Sequence, residues 1–313
     1  MRRVDVIVNR LAHHLVGETG LRAHVQQAAR HEGATVHETR SLAELDEVAR
    51  LLSSRGTDCV VLAGGDGSYM AGVTALDRSF GGKLPPVAFA PGGTVGTVAR
   101  NWGMRRPLDS YVSRLLGAIR RGDATPSERP TLRVTDAEDR RFVGFIFGAG
   151  LVANFFDVYY GGSHLGYGAA AAIVARVFAG SFVGGRLASR VLARTPCVLR
   201  VDGVERSPRA YSLITASVVR DLGLRMRVLY RAAEERDRFH VVASALEARA
   251  LGPQLPRVLA ARPLRGADHV DTLARELSVA FSAESGVYVL DGEALRARDV
   301  VVTAGPVIMH LST

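Results

Sequence analysis

Short apolar runs alternate with amphipathic segments along the first part of the chain. The runs predict strands, and the segments between them have the spacing of helices. The predicted strands are Val4–Asn9, Ala34–Thr39, Asp58–Ala63 and Val87–Ala90, and the predicted helices are Thr19–His31, Ser41–Leu52, Tyr69–Asp77, Val95–Trp102 and Pro107–Arg121. This alternation predicts a mostly parallel sheet covered by helices, which is an α/β domain over residues 1–125.

The pattern changes after residue 125, where strand signals dominate. Predicted strands are Thr131–Thr135, Arg141–Phe147, Cys197–Val201, Tyr211–Ser217, Arg225–Tyr230, Phe239–Ser244, Glu276–Phe281, Gly286–Leu290 and Val300–Ile308. They predict an antiparallel β-sandwich domain over residues 126–313, whose last strand is a candidate to return to the first domain. One apolar helical segment, Ala169–Leu192, interrupts the strands. It contains arginines and glycines, so we expect a buried or interfacial helix rather than a membrane span.

Composition narrows the class of protein. Hydrophobic residues make up 47% of 313 residues, which allows a large core and argues against global disorder. Cys59 and Cys197 lie in apolar stretches and are expected to be reduced core residues of a cytosolic protein. The net charge of +9 comes from arginine and fits an acidic partner, although a GC-rich genome gives the same excess. No zinc-finger, basic-zipper or aromatic-basic sheet motif occurs, so nucleic acid is not the expected partner.

Two glycine-rich turns carry the candidate chemistry. Gly64-Gly65-Asp66-Gly67-Ser68 follows the third predicted strand, and Pro91-Gly92-Gly93-Thr94 follows the fourth. Glycine lets backbone N–H groups approach an anion, and a helix after the turn points its positive end at the same place. Asp66 would be repelled by bare phosphate, so it is a candidate to hold Mg²⁺ or to accept a proton. The alternative is a tight strand-to-helix turn capped by Ser68.

The motifs then show a resemblance. Neither a P-loop nor the dinucleotide glycine spacing is present. The Gly64–Ser68 loop resembles that of the diacylglycerol kinase, sphingosine kinase and ceramide kinase superfamily, which NAD kinases share. Pro91, Gly93 and Thr94, followed by Ala99-Arg100, resemble the second family motif, and Asn9 resembles the family's opening asparagine. Asp291-Gly292-Glu293, late in the β domain, resembles the family's Asp-Gly-Glu and favours lipid kinases over NAD kinases; by itself it also fits a hairpin turn.

The resemblance implies an NAD kinase/diacylglycerol kinase-like α/β domain with ATP on its side of a cleft, a lipid on the β side, and Mg²⁺. It implies ATP binding by Asn9, Thr39, Gly64, Gly65, Asp66, Gly67, Ser68, Gly93 and Thr94. Glu293 is the implied proton acceptor with Asp291 and Asp66 nearby, and the sequence does not choose among the three. Asp66 and Asp237 are the implied metal ligands.

The expected function is therefore transfer of the ATP γ-phosphoryl group to a hydroxyl of diacylglycerol, a sphingoid base or ceramide. The expected location is cytoplasmic, peripheral on the inner face of the membrane, and a homodimer is left open. The chain departs from the family pattern at Arg10, Met70, Ala71 and Gly96 and in the eroded segment 231–238. These departures keep open an NAD kinase-like enzyme or a non-catalytic nucleotide or lipid binder.

Overall fold

The computed structural model of the chain describes residues 3–10, 19–92, 96–104, 108–162 and 166–313. The chain divides into two compact units. The N-terminal unit comprises Met1–Thr131 and Pro306–Thr313, and the C-terminal unit comprises Leu132–Gly305. The structure thus places the division after Thr131, where the sequence pattern placed it at residue 125.

The N-terminal unit contains a six-stranded, mostly parallel sheet with the order β2-β1-β3-β4-β19-β5. Its strands, numbered along the whole chain, are β1 (Val4–Asn9), β2 (Thr35–Thr39), β3 (Cys59–Gly64), β4 (Val87–Pro91), β5 (Thr125–Arg129) and β19 (Ile308–Ser312). Its described helices are α1 (Thr19–His31), α2 (Leu42–Arg55), α3 (Asp66–Ser79), α4 (Thr97–Asn101) and α5 (Leu108–Arg121). Residues 59–64 of β3 are all buried, as expected for a parallel strand covered on both faces. The predicted α/β fold is confirmed.

Local signals explain where the helices of this unit begin. Ser41 caps α2 because its Oγ accepts a hydrogen bond from the Glu44 backbone N–H at 3.1 Å. The Glu44 carboxylate in turn accepts from the Arg40 N–H at 2.7 Å. The Ser41 bond is one half of a capping box, whereas the Glu44 carboxylate accepts from the residue before the N-cap instead of from the N-cap itself.

The C-terminal unit contains two antiparallel sheets, as the sequence predicted. The first has the order β10-β9-β15-β18-β6-β7, with β11 also on β9, and the second has the order β14-β13-β12-β8-β16-β17. The strands are β6 (Leu132–Asp136), β7 (Arg141–Gly144), β8 (Ile146–Gly150), β9 (Thr195–Val201), β10 (Val204–Glu205), β11 (Ala210–Tyr211), β12 (Leu213–Ser217), β13 (Phe239–Ser244), β14 (His269–Ala274), β15 (Glu276–Phe281), β16 (Gly286–Leu290), β17 (Glu293–Ala297) and β18 (Asp299–Ala304).

Helices in this unit follow β8 and β13. They are α6 (Leu151–Tyr160), α7 (Tyr167–Val183), α8 (Arg186–Val191), α9 (Ala248–Leu251) and α10 (Leu255–Leu259), with a 3₁₀ turn at Gly252–Gln254. The predicted helical segment is α7 and α8, and Gly184 ends α7 with a φ of 68°. Across the described part of the chain, no helix combines the length and the apolar character that a membrane span needs.

Four strand predictions differ from the structure. Tyr211–Ser217 is divided between β11 and β12, which lie in different sheets. Arg225–Tyr230 is not a strand, because Leu224 and Arg225 take φ values of 53° and 61° in a turn. Arg141–Phe147 is divided between β7 and β8, which lie in different sheets. Val300–Ile308 ends at Ala304, after which the chain returns to the N-terminal unit as β19.

Candidate active site

The glycine turn of the N-terminal unit joins β3 to α3. A Cβ at Gly64 would lie 2.5 Å from both Cβ and Oγ of Ser68, so only glycine lets the first turn of α3 close against β3. Gly65 is the N-cap of α3, and Asp66 and Gly67 open the helix. The first N–H groups of a helix have no intrahelical acceptor, and here they lie at the carboxyl ends of parallel strands. That arrangement suits an anion such as phosphate.

Three predicted nucleotide-contacting residues lie together beside this turn. Asn9 Nδ2 donates a hydrogen bond to Ser68 Oγ at 2.9 Å. Asn9 is also the register partner of Thr39, because β1 and β2 pair in parallel. All three residues line one pocket of about 130 Å³, together with Arg40 and Ala71. The pocket is smaller than the ~300–1,000 Å³ that encloses a whole drug-sized ligand, and apolar side chains such as Leu45 and Leu62 make up much of the rest of its lining.

Arg40 is a lining residue that the motif comparison missed. The signal was present, since a basic residue directly follows Thr39 at the end of β2, on the edge where phosphate was expected. Met70 and Ala71, which differ from the family pattern after the first loop, lie in different surroundings. Met70 is buried in the core, whereas Ala71 lines the pocket.

Asp66 is held by the start of the next helix. Its two carboxylate oxygens accept hydrogen bonds from the backbone N–H groups of Thr97 and Val98, at 2.7 and 3.0 Å. Burial raises the pKa of Asp66, and the two backbone donors and the nearby Arg100 offset part of that rise. In this geometry, Asp66 anchors the first turn of α4 to the glycine turn.

The second glycine turn is described only at its edges. Gly93 and Thr94, both predicted to bind nucleotide, lie outside the described residues. Gly96, which stands where the family has asparagine, is the N-cap of α4 with a φ of 61°. Glycine and asparagine are the residues that most readily adopt this conformation, so the departure preserves the backbone and removes the amide.

Asp291 lies in the C-terminal unit, in the turn between β16 and β17, and its carboxylate contacts the point where the chain passes from one sheet to the other. Its carboxylate oxygens accept hydrogen bonds from the N–H groups of Phe145 and Ile146, both at 2.9 Å. Phe145 is the residue between β7 and β8, and its carbonyl accepts from Ser217 Oγ at 2.8 Å. Asp291 is 6% exposed, so its buried carboxylate serves to hold the backbone at this crossing between the sheets.

Glu293 faces solvent on the other side of the same turn. Asp291 and Gly292 have φ values of 49° and 92°, and they form a two-residue hairpin between β16 and β17. The hairpin interpretation of Asp-Gly is thus confirmed. Among the described residues, the Glu293 carboxylate has no hydrogen-bond partner, unlike those of Asp66 and Asp291.

Tyr160 is the neighbour of Glu293 that the sequence did not suggest. Its hydroxyl donates to the Gly292 carbonyl at 3.1 Å, and so braces the turn from the end of α6. Burial, and secondarily the charge of Glu293, raise the pKa of Tyr160 to about 12. Phe156 lies one turn earlier on α6, with its ring centroid 5.6 Å from that of Tyr160. An aromatic surface therefore adjoins the free carboxylate.

The two predicted metal ligands, Asp66 and Asp237, each contact other protein groups in this structure. Asp237 makes an ion pair with Arg275, with a nitrogen–oxygen distance of 2.6 Å. Asp66 is occupied by backbone donors. In the described ranges, no three His, Cys, Asp or Glu residues are grouped so that they could hold an ion. The metal-binding roles of Asp66 and Asp237 stay predictions.

Known proteins resemble this chain both in sequence and in fold. Residues 3–126 match the family model of the diacylglycerol kinase catalytic domain. No curated protein matches the chain. A crystal structure of a diacylglycerol kinase from Bacillus anthracis strain Sterne is 13% identical, with a TM-score of 0.63, over 100% of this chain and 97% of that one. An NAD kinase from Archaeoglobus fulgidus in complex with ATP is 12% identical, with a TM-score of 0.50, over 99% of this chain and 93% of that one.

At these identities, the solved structures establish the fold alone. The residues of this chain that match the family model, 3–126, include the glycine turn with Ser68 and its neighbours Asn9 and Thr39. Residues 3–126 therefore match the diacylglycerol kinase catalytic domain, the resemblance that the sequence motifs predicted.

Proposed function

We propose that the protein is an ATP-dependent lipid kinase that transfers the γ-phosphoryl group to a lipid hydroxyl. The observation that carries the proposal is the match of residues 3–126 to a diacylglycerol kinase catalytic domain. Diacylglycerol, a sphingoid base and ceramide are the acceptor classes, since each presents a hydroxyl next to acyl or alkyl chains. The acceptor would be membrane-embedded, so the protein would act at the inner face of the membrane.

The N-terminal unit would bind ATP. Backbone N–H groups of the Gly64–Ser68 turn would contact the phosphates, helped by the positive end of α3. The hydroxyls of Ser68 and Thr39 line the adjoining pocket. Mg²⁺ would enter with the nucleotide, because this ion is usually held by substrate phosphates and water together with only one or two protein carboxylates.

Glu293 would be the proton acceptor. Phosphoryl transfer forms a bond between the acceptor oxygen and the γ-phosphorus and breaks the bond from that phosphorus to the bridging oxygen of ADP. The proton of the acceptor hydroxyl would pass to the Glu293 carboxylate. Asp66 and Asp291 would act as positioning residues, because their oxygens already accept backbone hydrogen bonds.

The test is phosphoryl transfer from radiolabelled ATP to vesicles of total lipid extract and, in parallel, to NAD. We expect a labelled lipid and no labelled dinucleotide. Label on NAD would favour the NAD kinase-like alternative, for which the Archaeoglobus similarity is the supporting observation. ATP binding without any labelled product would favour a non-catalytic binder.

Glu293→Gln tests the proton acceptor directly. The substitution should lower turnover about 10²–10⁴-fold, the usual contribution of a positioned base. The free energy of unfolding should not change, because the Glu293 carboxylate faces solvent. Glu284→Gln is the matched control, since Glu284 is another exposed carboxylate of the same unit. Equal activity of the two variants would remove Glu293 from the mechanism.

A further inference from the structure

One helix of the C-terminal unit is apolar on both sides. The buried side of α7 includes Ala170 and Val177, and Ile173 packs against the core formed with α8 and β13. The opposite side is exposed at positions spaced three or four residues apart, which form one continuous stripe. The stripe residues are Gly168, Ala172, Ala175, Ala179 and Phe182. The solvent-facing side of a surface helix normally carries polar residues, so this apolar side favours contact with a partner that is less polar than water.

The stripe ends in its largest apolar side chains. Phe182 is 57% exposed and its neighbour Val183 is 77% exposed, at the last turn of α7. Tyr167 is exposed at the other end of the helix. Exposed apolar residues scattered singly need no explanation, but a row of them along one helix marks an interaction surface.

The unpaired charge beside the stripe is positive. From residue 158 to residue 201 the chain contains no Asp or Glu and five arginines. Three of these arginines pair with carboxylates from other segments: Arg190 with Asp157, Arg194 with Glu247 and Arg200 with Glu205. Arg176 lies beside the stripe on α7, and Arg186 begins α8 just after Val183. Neither makes an ion pair with any described carboxylate. Arg249 comes close to Gly184, where an added Cβ would lie 3.0 Å from a guanidinium nitrogen.

We propose that the α7 stripe (Gly168, Ala172, Ala175, Ala179 and Phe182, with Val183) docks on an anionic lipid bilayer. Apolar residues on one face and unpaired arginines at its border match the two layers of a membrane surface, the acyl boundary and the anionic headgroups. A protein partner would need complementary carboxylates, whereas a bilayer offers negative charge everywhere. The inference rests on the proposed function for its biological setting, but it does not require catalysis.

The experiment is co-sedimentation of the full chain with vesicles, without ATP. Vesicles of phosphatidylcholine with phosphatidylserine should bind the protein, and vesicles of phosphatidylcholine alone should bind it at least fivefold more weakly. Phe182→Ser with Val183→Ser should weaken binding about tenfold or more, since two partly exposed apolar side chains lose their transfer free energy. Arg176→Glu with Arg186→Glu should abolish the preference for the anionic vesicles.

Val204→Ser is the matched control, because Val204 is 56% exposed on β10 and lies outside the stripe. It should bind vesicles as the wild type does. Wild-type binding that is unaffected by the Phe182 and Val183 substitutions would overturn the proposal. So would a wild type that ignores vesicles and sediments as a dimer which those substitutions dissociate.

Measurements of kinase activity test the membrane-docking surface and the proposed lipid kinase function independently. Activity toward a short-chain lipid in detergent micelles should survive the Phe182 and Val183 substitutions, because the docking step is bypassed there. If the wild type binds vesicles but labels no lipid, the proposed function fails and the docking surface stands. If it labels micellar lipid but does not bind vesicles, the docking surface fails and the function stands.

Discussion

Asp291→Asn should destabilise the C-terminal unit, even though the change is isosteric, because it replaces one acceptor oxygen with a donor. The carboxylate accepts two backbone hydrogen bonds at 2.9 Å where the chain crosses between sheets, and it is 6% exposed. Asparagine keeps one acceptor oxygen and turns an N–H₂ group toward the other donor. One buried N–H is then unpaired, which costs about 1–3 kcal/mol. Asp291→Ala removes both acceptors and should cost about twice as much.

A second substitution reaches the same contact without altering Asp291. A Cβ at Gly144 would lie 2.5 Å from Asp291 Oδ2, so Gly144→Ala should displace the carboxylate and destabilise the unit in the same direction. Glu293→Gln, two residues from Asp291, should leave stability unchanged. Compared with Asp291→Asn, these two variants show whether stability depends on the contact of the Asp291 carboxylate or on any substitution near this hairpin.

The assay is urea unfolding followed by far-UV circular dichroism. Fluorescence of Trp102 would not serve, since the one tryptophan of the chain belongs to the N-terminal unit. Hydrogen exchange of the peptide that contains Phe145 and Ile146 localises the effect, because both amides should exchange faster in the Asn variant. An Asn variant with wild-type unfolding free energy and wild-type exchange at these amides would refute the anchoring role.

Two predictions concern the N-terminal unit and use Trp102 fluorescence. His310 is fully buried, its ring nitrogens have no partner among the described residues, and burial lowers its pKa to about 4. Because the unfolded state alone takes up the proton, stability should be full above about pH 6.5 and fall by about 3 kcal/mol as the pH drops to 4, and His310→Leu should flatten that slope. Gly64→Ala should destabilise the unit by about 1–3 kcal/mol or more and abolish ATP binding, because its Cβ meets Ser68. Adding Ser68→Gly should restore stability, and failure of that rescue would contradict the steric reasoning.

Strands and turns of the N-terminal unit could be predicted because their signals are local. The apolar runs ending at Asn9 and Gly64 are buried on both faces, and the capping residue Ser41 announces α2. The opposite holds for β5, which contains Pro126 and mostly polar residues at the sheet edge and therefore lacks a strand pattern. No local rule indicates that β19 pairs with it, since that contact joins residues 125–129 to residues 308–312, far apart in the sequence.

In the C-terminal unit, errors arise where tertiary contacts override propensity. The segment Arg225–Tyr230 has a strand-like composition, but the positive φ values at its start divert it into turns. Helix α6 was not predicted, because its apolar residues follow β8 without a polar N-cap and begin after Gly150 at a φ of 64°. The partner that braces the Asp-Gly-Glu turn, Tyr160, is on this helix, so the missed helix hid part of the candidate site.

The three acidic residues of the family motifs, Asp66, Asp291 and Glu293, differ in whether their carboxylate oxygens already accept hydrogen bonds. Asp66 and Asp291 accept backbone hydrogen bonds, one at the start of a helix and one at a crossing between sheets. Loss of activity on substituting either residue would follow from a displaced backbone as readily as from lost chemistry. Of these three acidic residues, only Glu293 has a carboxylate that is exposed and unpartnered within the described ranges, so only there does a loss of turnover without a loss of stability identify a base. The sequence motif groups Asp291 and Glu293 as one unit, but the structure gives the first an architectural role and leaves the second available to substrate.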